Sequence, residues 1–260
     1  MSASALIVVD GVELEMQCWG SGSETILLLH EGLGSVSHWR DFPVRLAERT
    51  GARVIAWSRQ GNGRSQKLAA RRDPDYLHVE GARVGAFMDA MGVTRAHLFG
   101  QSDGASLALI AAAKFPDRIQ SLILEAPHVL VEQITYDSID QAREVYRTTD
   151  LSAKLARHHD DIDHTFWMWN DIWLDPRFRD WNIENVLPAI RAPALLIQGL
   201  DDEYGTLDQL DRIAAVLPDT EMLILEQCRH APHRDRPEAV LEATVNFLKH
   251  RAKIGASDAA

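Results

Sequence analysis

Residues 99–106 read FGQSDGAS, with Ser102 between two glycines spaced as G-x-S-x-G directly after the apolar run AHLF. A strand running straight into that spacing implies a turn too tight for side chains at its flanks, with one hydroxyl pushed out at the top. A serine hydroxyl is a weak nucleophile until a base takes its proton. An imidazole serving as that base needs a carboxylate to fix its tautomer and stabilise its charged form. Further along, GLDDEYG supplies Asp201 and Asp202, and QCRHAPHRD supplies His230 and His233. The chain thus offers a serine, an acid and a histidine in that order, each just after an apolar run.

Residues so far apart in sequence meet only if the elements before them end at one edge of a sheet. ALIVVDG and VELEMQCW read as a hairpin around Asp10-Gly11. TILLLHEG and ARVIAWSRQG are apolar runs suited to strands buried on both faces of a parallel sheet, and RAHLFG, IQSLILEAP, APALLIQG and TEMLILEQ continue the set. Between them SHWRDFPVRLAERTG, DPDYLHVEGARVGAFMDAMG, DGASLALIAAAKFP, TLDQLDRIAAVLP and RPEAVLEATVNFLKHRA have helical spacing; in the second, Leu77, Val84, Phe87, Met88 and Met91 share one side. The alternation predicts an α/β fold, a mostly parallel sheet with helices on both faces. Loops at the carboxyl ends of its strands would carry His30, Glu31 and Gly32, then Ser102 and Asp103, then Asp201 and Asp202, then His230.

One stretch breaks the rhythm. Residues 128–188 show no strand pattern yet include HTFWMWNDIWLDPRFRDW. They are expected to form an inserted helical cap on a core made of residues 1–127 and 189–260. Phe166, Trp169 and Trp173 recur at helical spacing and are expected to bury the cap against the core, with Trp167, Met168 and Asn170 facing elsewhere. Some of these rings would also line an apolar substrate pocket, for which Glu31, Leu33, Trp39, Trp167 and Trp169 are the candidates.

A formal net charge of -11 argues against a nucleic-acid or acidic-membrane surface, both of which need clustered Lys and Arg. No apolar stretch approaches the roughly 20 residues that span a bilayer, and MSASALIVVDGVELE lacks the features of a secretory leader, so a cytoplasmic location is expected. Cys18 and Cys228 are too few for a disulfide framework or a thiolate metal site. His158 and His159, followed by Asp160 and Asp161, read as a solvated helix end rather than a metal site. The expected partner is a small-molecule substrate, with no metal and no cofactor; a homo-oligomer stays open.

Taken together, the motifs resemble the α/β-hydrolase superfamily over essentially the whole chain. GQSDG matches that family's nucleophile elbow, GLDDEYG is similar to its G-x-x-D acid turn, CRHAPHRDRPE to its histidine loop, and SRQGNGRS to its Gly-rich turn after the fourth strand. The resemblance implies Ser102 as nucleophile, His230 as base, and Asp202 ahead of Asp201 as the acid. Glu125, ending LILE, occupies a strand end that is the acid site in some relatives. Backbone N–H groups of Asp103 and Gly32 would form the oxyanion hole. In HEGLG, Glu31 stands where the family has Gly, which sets a carboxylate near the site; Ser58 and Arg229 replace the family's Asp and Gly. His233 reads as a surface residue or as a partner of Asp235, and His30 as packing under the oxyanion loop. The resemblance implies a serine hydrolase that cleaves an ester or lactone through an acyl-enzyme. The alternatives are a C–C bond hydrolase acting on a vinylogous diketone and a binding or receptor protein with weak turnover.

Overall fold

The computed structural model describes residues 4–217 and 219–257, with side chains through His250. The chain begins with an antiparallel hairpin, β1 (Ala5–Val9) and β2 (Val12–Trp19), turned by Asp10 and Gly11, both at positive φ (50° and 75°). That pair of angles matches the twist of the strands it joins. There follow β3 (Thr25–Leu29), β4 (Arg53–Trp57), β5 (Ala96–Gln101), β6 (Ile119–Glu125), β7 (Ala194–Gly199) and β8 (Thr220–Leu225). The sheet order is β1-β2-β4-β3-β5-β6-β7-β8, antiparallel through β2 and β4 and parallel from there on.

The central strands read as unbroken apolar runs because each face meets a helical layer. Ile26 and Leu28 of β3 join one core with Val54, Phe99, Ile123 and Ile197. It is covered by α1 (Phe42–Thr50) and α8 (Pro237–Ser257), through Phe42 and Leu46 of the first and Val240, Leu241 and Phe247 of the second. Leu27 and Leu29 alternate to the other face, under α2 (Tyr76–Ala90) and α3 (Asp103–Lys114), where Leu77, Val84, Phe87 and Met88 pack as their spacing predicts. Helix α7 (Asp208–Val216) adds Leu210 and Ile213 to this face. The stretch read as one helix over SHWRDFPVRLAERTG is two pieces: a 3-10 turn at Val36–Trp39, a break where Arg40 takes φ 53°, then α1.

Between β6 and β7 the described residues hold α4 (Gln133–Thr148), α5 (Leu151–Leu155), α6 (Ile162–Trp173) and two 3-10 turns, Pro176–Phe178 and Glu184–Ala189, with one isolated bridge from Leu130 to Asn182. Asp161 caps α6 by accepting the His164 N–H at 3.0 Å. Helices α4 and α6 meet through the stacked rings of Tyr146 and Phe166, 3.7 Å apart. Asn170, expected to face away, is fully buried and bonds the Ile139 carbonyl of α4 at 2.8 Å. His159, expected in a solvated helix end, is buried and ties this insertion to the core: its Nδ1 accepts from Gly63 N–H and its Nε2 donates to the Leu33 carbonyl, both at 2.8 Å. Among the described residues no helix is long and apolar enough to cross a membrane, and no group of three or more His, Cys, Asp or Glu is arranged to hold a metal ion.

Candidate functional site

The carboxyl ends of β3, β5, β7 and β8 and the helices between β6 and β7 enclose a cavity of about 260 Å³, lined by Ser102 and His230 among others. Ser102 sits at φ 54° and ψ -119°, a backbone strained for a residue with a side chain, directly before α3. The flanking glycines make this turn possible: a side chain at Gly104 would run into the Leu29 carbonyl, and one at Gly100 into the backbone of Gly104. The turn is pinned by the Ser102 N–H donating to the Glu125 carbonyl at 2.9 Å.

His230 Nδ1 lies 2.8 and 2.9 Å from the two carboxylate oxygens of Asp202. Asp202 is held in turn by Gln198 Nε2 and the Tyr204 N–H, each at 2.8 Å. Burial works against the imidazolium, but the Asp202 carboxylate outweighs it and His230 is raised above its ordinary value. The converse holds for Asp202: burial favours its neutral form, yet His230 and the donors around it keep the carboxyl below its usual range. Asp201 is exposed, and among the described residues it forms no hydrogen bond with His230. Gln101 fixes the histidine loop from the elbow side, donating to the His230 carbonyl at 2.9 Å.

The loop after β3 is turned so that its carbonyls are tied back. Arg59 Nη2 and His30 Nδ1 both donate to the Glu31 carbonyl, at 2.8 and 2.6 Å, and Asn62 Nδ2 donates to the carbonyls of Gly32 and Gly34 at 3.1 and 3.0 Å. Within the loop the Glu31 carboxylate takes the Leu33 N–H at 2.5 Å and the Glu31 carbonyl takes the Gly34 N–H at 3.0 Å. The Gly32 N–H has no acceptor among the described residues. The Asp103 N–H, first in α3, is one of the amides that a helix leaves without an internal acceptor. Glu31 does place a carboxyl at the cavity; burial, then the neighbouring Asp103, raises it above its ordinary value.

Leu33, Trp39 and Trp169 line the cavity with Glu31, but Trp167 does not. Its indole packs across Tyr146 and Phe166 and carries the Arg147 guanidinium 5.1 Å above it. Helical spacing gave the order of faces along α6 but not which face meets the cavity. Phe166, Trp169 and Trp173 serve both purposes, burying the helix and forming the apolar wall with Ile139, Leu151 and Leu155.

Sequence reasoning did not find several supporting groups. Arg59 Nη1 pairs with the Asp103 carboxylate at 3.2 Å, both side chains 3% exposed, and Tyr76 donates to the same carboxylate at 3.0 Å. His233 is buried against Glu125 at 2.7 Å, so neither the surface reading nor the Asp235 reading holds; Asp235 accepts the Arg229 N–H instead. His128 and Tyr204 flank the His230 ring, with centroids 5.7 and 4.7 Å away. The Cys228 thiol is pushed up to about 12 by burial, then by Asp235 and Glu125, which makes it a poor nucleophile.

The profile of a family described as alpha/beta hydrolase fold matches residues 24–181. Among curated proteins, the chain is 24% identical over 273 residues to a 2-hydroxy-6-oxononadienedioate/2-hydroxy-6-oxononatrienedioate hydrolase of Pseudomonas putida, covering 92% of each chain. It is 27% identical to the serine hydrolase BPHL of Homo sapiens, covering 95% of this chain and 86% of that one. Among solved structures, the enol-lactonase from Burkholderia xenovorans LB400 superimposes with a TM-score of 0.76 at 20% identity, covering 94% of this chain and 100% of that one. With that match over more than half of its length, the chain belongs to the α/β-hydrolase fold family.

Proposed function

We propose that this hydrolase cleaves carboxylic esters or lactones of small, partly apolar substrates through an acyl-enzyme on Ser102. The observation that carries the reading is the His230–Asp202 pair at 2.8 Å beside a serine held at a strained turn in the same cavity. In this reading His230 takes the Ser102 proton as Oγ attacks the carbonyl carbon, and the new oxyanion is met by the Asp103 and Gly32 N–H groups. His230 then gives the proton to the leaving oxygen, and water, activated by the same imidazole, releases the acid. These steps need no cofactor. The cavity, about 260 Å³ with one apolar wall, suits a substrate below drug size.

C–C bond hydrolysis is a second reading, favoured by the curated relative from Pseudomonas putida that is named for a dienedioate substrate. It requires the same triad and, in addition, protonation of a carbon leaving group. The binding-protein reading gives no reason for a base aligned on an acid beside a serine held at a strained turn in the same cavity. The test is one panel of purified protein against p-nitrophenyl esters of graded chain length, lactones and a vinylogous 1,5-diketone, with Ser102→Ala as control. Ester or lactone turnover abolished by Ser102→Ala is expected. Efficient cleavage of the diketone with every ester and lactone intact would replace this reading with the C–C one.

A further inference from the structure

One wall of the cavity holds a buried imidazole that the fold itself does not use. His128 is 2% exposed, lines the cavity, and its Nδ1 has no hydrogen-bond partner among the described residues. Its backbone cannot shift: Ser106 Oγ donates to the His128 carbonyl at 2.6 Å, and the next amide, Val129 N–H, donates to Gln209 at 2.7 Å. The ring is confined as well. The Trp173 ring stands edge-on at 5.5 Å, and Gly205 comes so close that a side chain there would lie 3.2 Å from His128 Cε1. Burial, then the nearby His230, lowers His128 to about 4, so it is a neutral imidazole with one donor and one acceptor nitrogen at working pH. Nδ1 lies on the Gly205 side, 3.6 Å from where a side chain there would begin, so the nitrogen left to meet a molecule in the cavity is Nε2, which forms no hydrogen bond among the described residues.

Its neighbour points the same way. The Tyr204 ring, 4.7 Å from His230, also lines the cavity, and burial with nearby carboxylates raises its phenol, so it stays a donor. The general acid of a triad delivers its proton to the leaving oxygen, so the leaving group must lie against the His230 ring. The rings packed there are those of His128 and Tyr204, whereas Ile139, Phe166 and Trp169 supply apolar lining elsewhere in the cavity.

Building on the acyl-enzyme reading above, we propose that His128, with Tyr204, is a specificity subsite for the leaving group: it hydrogen-bonds a second oxygen, hydroxyl or carbonyl, carried by the alcohol part of the substrate a few bonds beyond the ester oxygen. His128 keeps its own proton; the only proton transferred is the one His230 takes from Ser102 and gives to the leaving oxygen. The acyl part remains against the aromatic wall.

The test compares 2-hydroxyethyl butyrate with its carbon analogue propyl butyrate by pH-stat, alongside phenyl butyrate and fluorophosphonate labelling of Ser102. The wild type is expected to favour the hydroxyethyl ester about tenfold or more in kcat/KM. His128→Leu should bring that ratio close to one, His128→Gln should restore part of it, and Tyr204→Phe should lower it. A merely structural role would lower both esters alike and leave the ratio intact, which would overturn the proposal; so would a wild type with no preference. If His128→Leu fails to fold, His128→Gln and Tyr204→Phe still decide the ratio. Continued phenyl butyrate turnover in those cases leaves the acyl-enzyme reading standing, whereas absence of both ester turnover and Ser102 labelling removes the reading and the subsite together.

Discussion

On the proposed mechanism, one proton on His230 separates a competent site from an idle one. Because Asp202 raises this imidazole above 6.5, the base is lost as pH falls through a value higher than that of a free histidine. The acidic limb of kcat/KM is therefore expected to have its midpoint above 6.5 with a slope of one proton, and a midpoint well below 6.5 would contradict the pairing with Asp202. Asp202→Asn should cost about 10⁴ in kcat, as loss of the orienting carboxylate does in other triads, while Asp201→Asn should stay near wild type because that side chain is exposed. Steady-state kinetics on both variants checks the acid assignment; the reverse order would mean the turn after β7 acts in another register. Cys228→Ser should keep most activity, since the raised thiol offers little thiolate at neutral pH. The tight turn at Ser102 and the meeting of Asp202 with His230 were legible because each motif carries its own local geometry. His128 and Tyr204 were not, since a lone His and a lone Tyr acquire meaning only from what the fold sets beside them.

At the scale of elements, the Gly-rich turn after β4 works as a clamp. Arg59 reaches the Glu31 carbonyl and the Asp103 carboxylate, and Asn62 reaches the carbonyls of Gly32 and Gly34, so one turn orients the backbone on both sides of the proposed oxyanion site. Removing one partner of a buried ion pair leaves the other charge unpaired at a cost of about 3–5 kcal/mol. Asp103→Ala, which keeps the backbone N–H, is thus expected to lower unfolding stability by an amount in that range, read by urea denaturation, and to lower kcat as Arg59 loses its anchor. A change below 1 kcal/mol would show that the pair carries little. The strands were legible because runs such as ILLL and LLIQ are buried on both faces. The clamp was not, because its bonds join residues about 30 to 45 positions apart through side chains whose reach no local pattern encodes. Trp167 failed for a related reason: periodicity ranks the faces of α6 without saying that the cavity lies on the side of Trp169 and Trp173.

Over the whole molecule, neutral histidines that are buried or half-buried set the response to acid. His30 lies well below its ordinary value, His38 at about 2, and His128 and His159 at about 4, each chiefly through burial. Below 6.5 the unfolded chain binds protons at these positions and the folded one does not, so stability is lost as pH falls from 6.5 toward 4. His230 and Glu31, both raised, contribute in the opposite direction over their own ranges but are fewer. A fall in Tm on the order of 10 °C between pH 7 and pH 5 is expected by scanning calorimetry; a flat or rising Tm would contradict the neutral assignments.

A contact between the inserted helices and the core reaches further. A side chain at Gly32 would collide with the Trp169 indole, so a ring carried by α6 rests directly against the loop that brings Gly32 to the cavity. Any opening of α6 wide enough to admit a substrate withdraws that backing at the same moment. On the proposed acyl-enzyme reading the two would work as an interlock: an ester meeting an open molecule would find Ser102 beside an unbraced loop, and only a guest that lets the ring return would complete the circuit. Trp169→Ala should for that reason lower kcat as well as raise KM for esters of every chain length, whereas a ring that only fills space would change KM for the longest acyl chains alone.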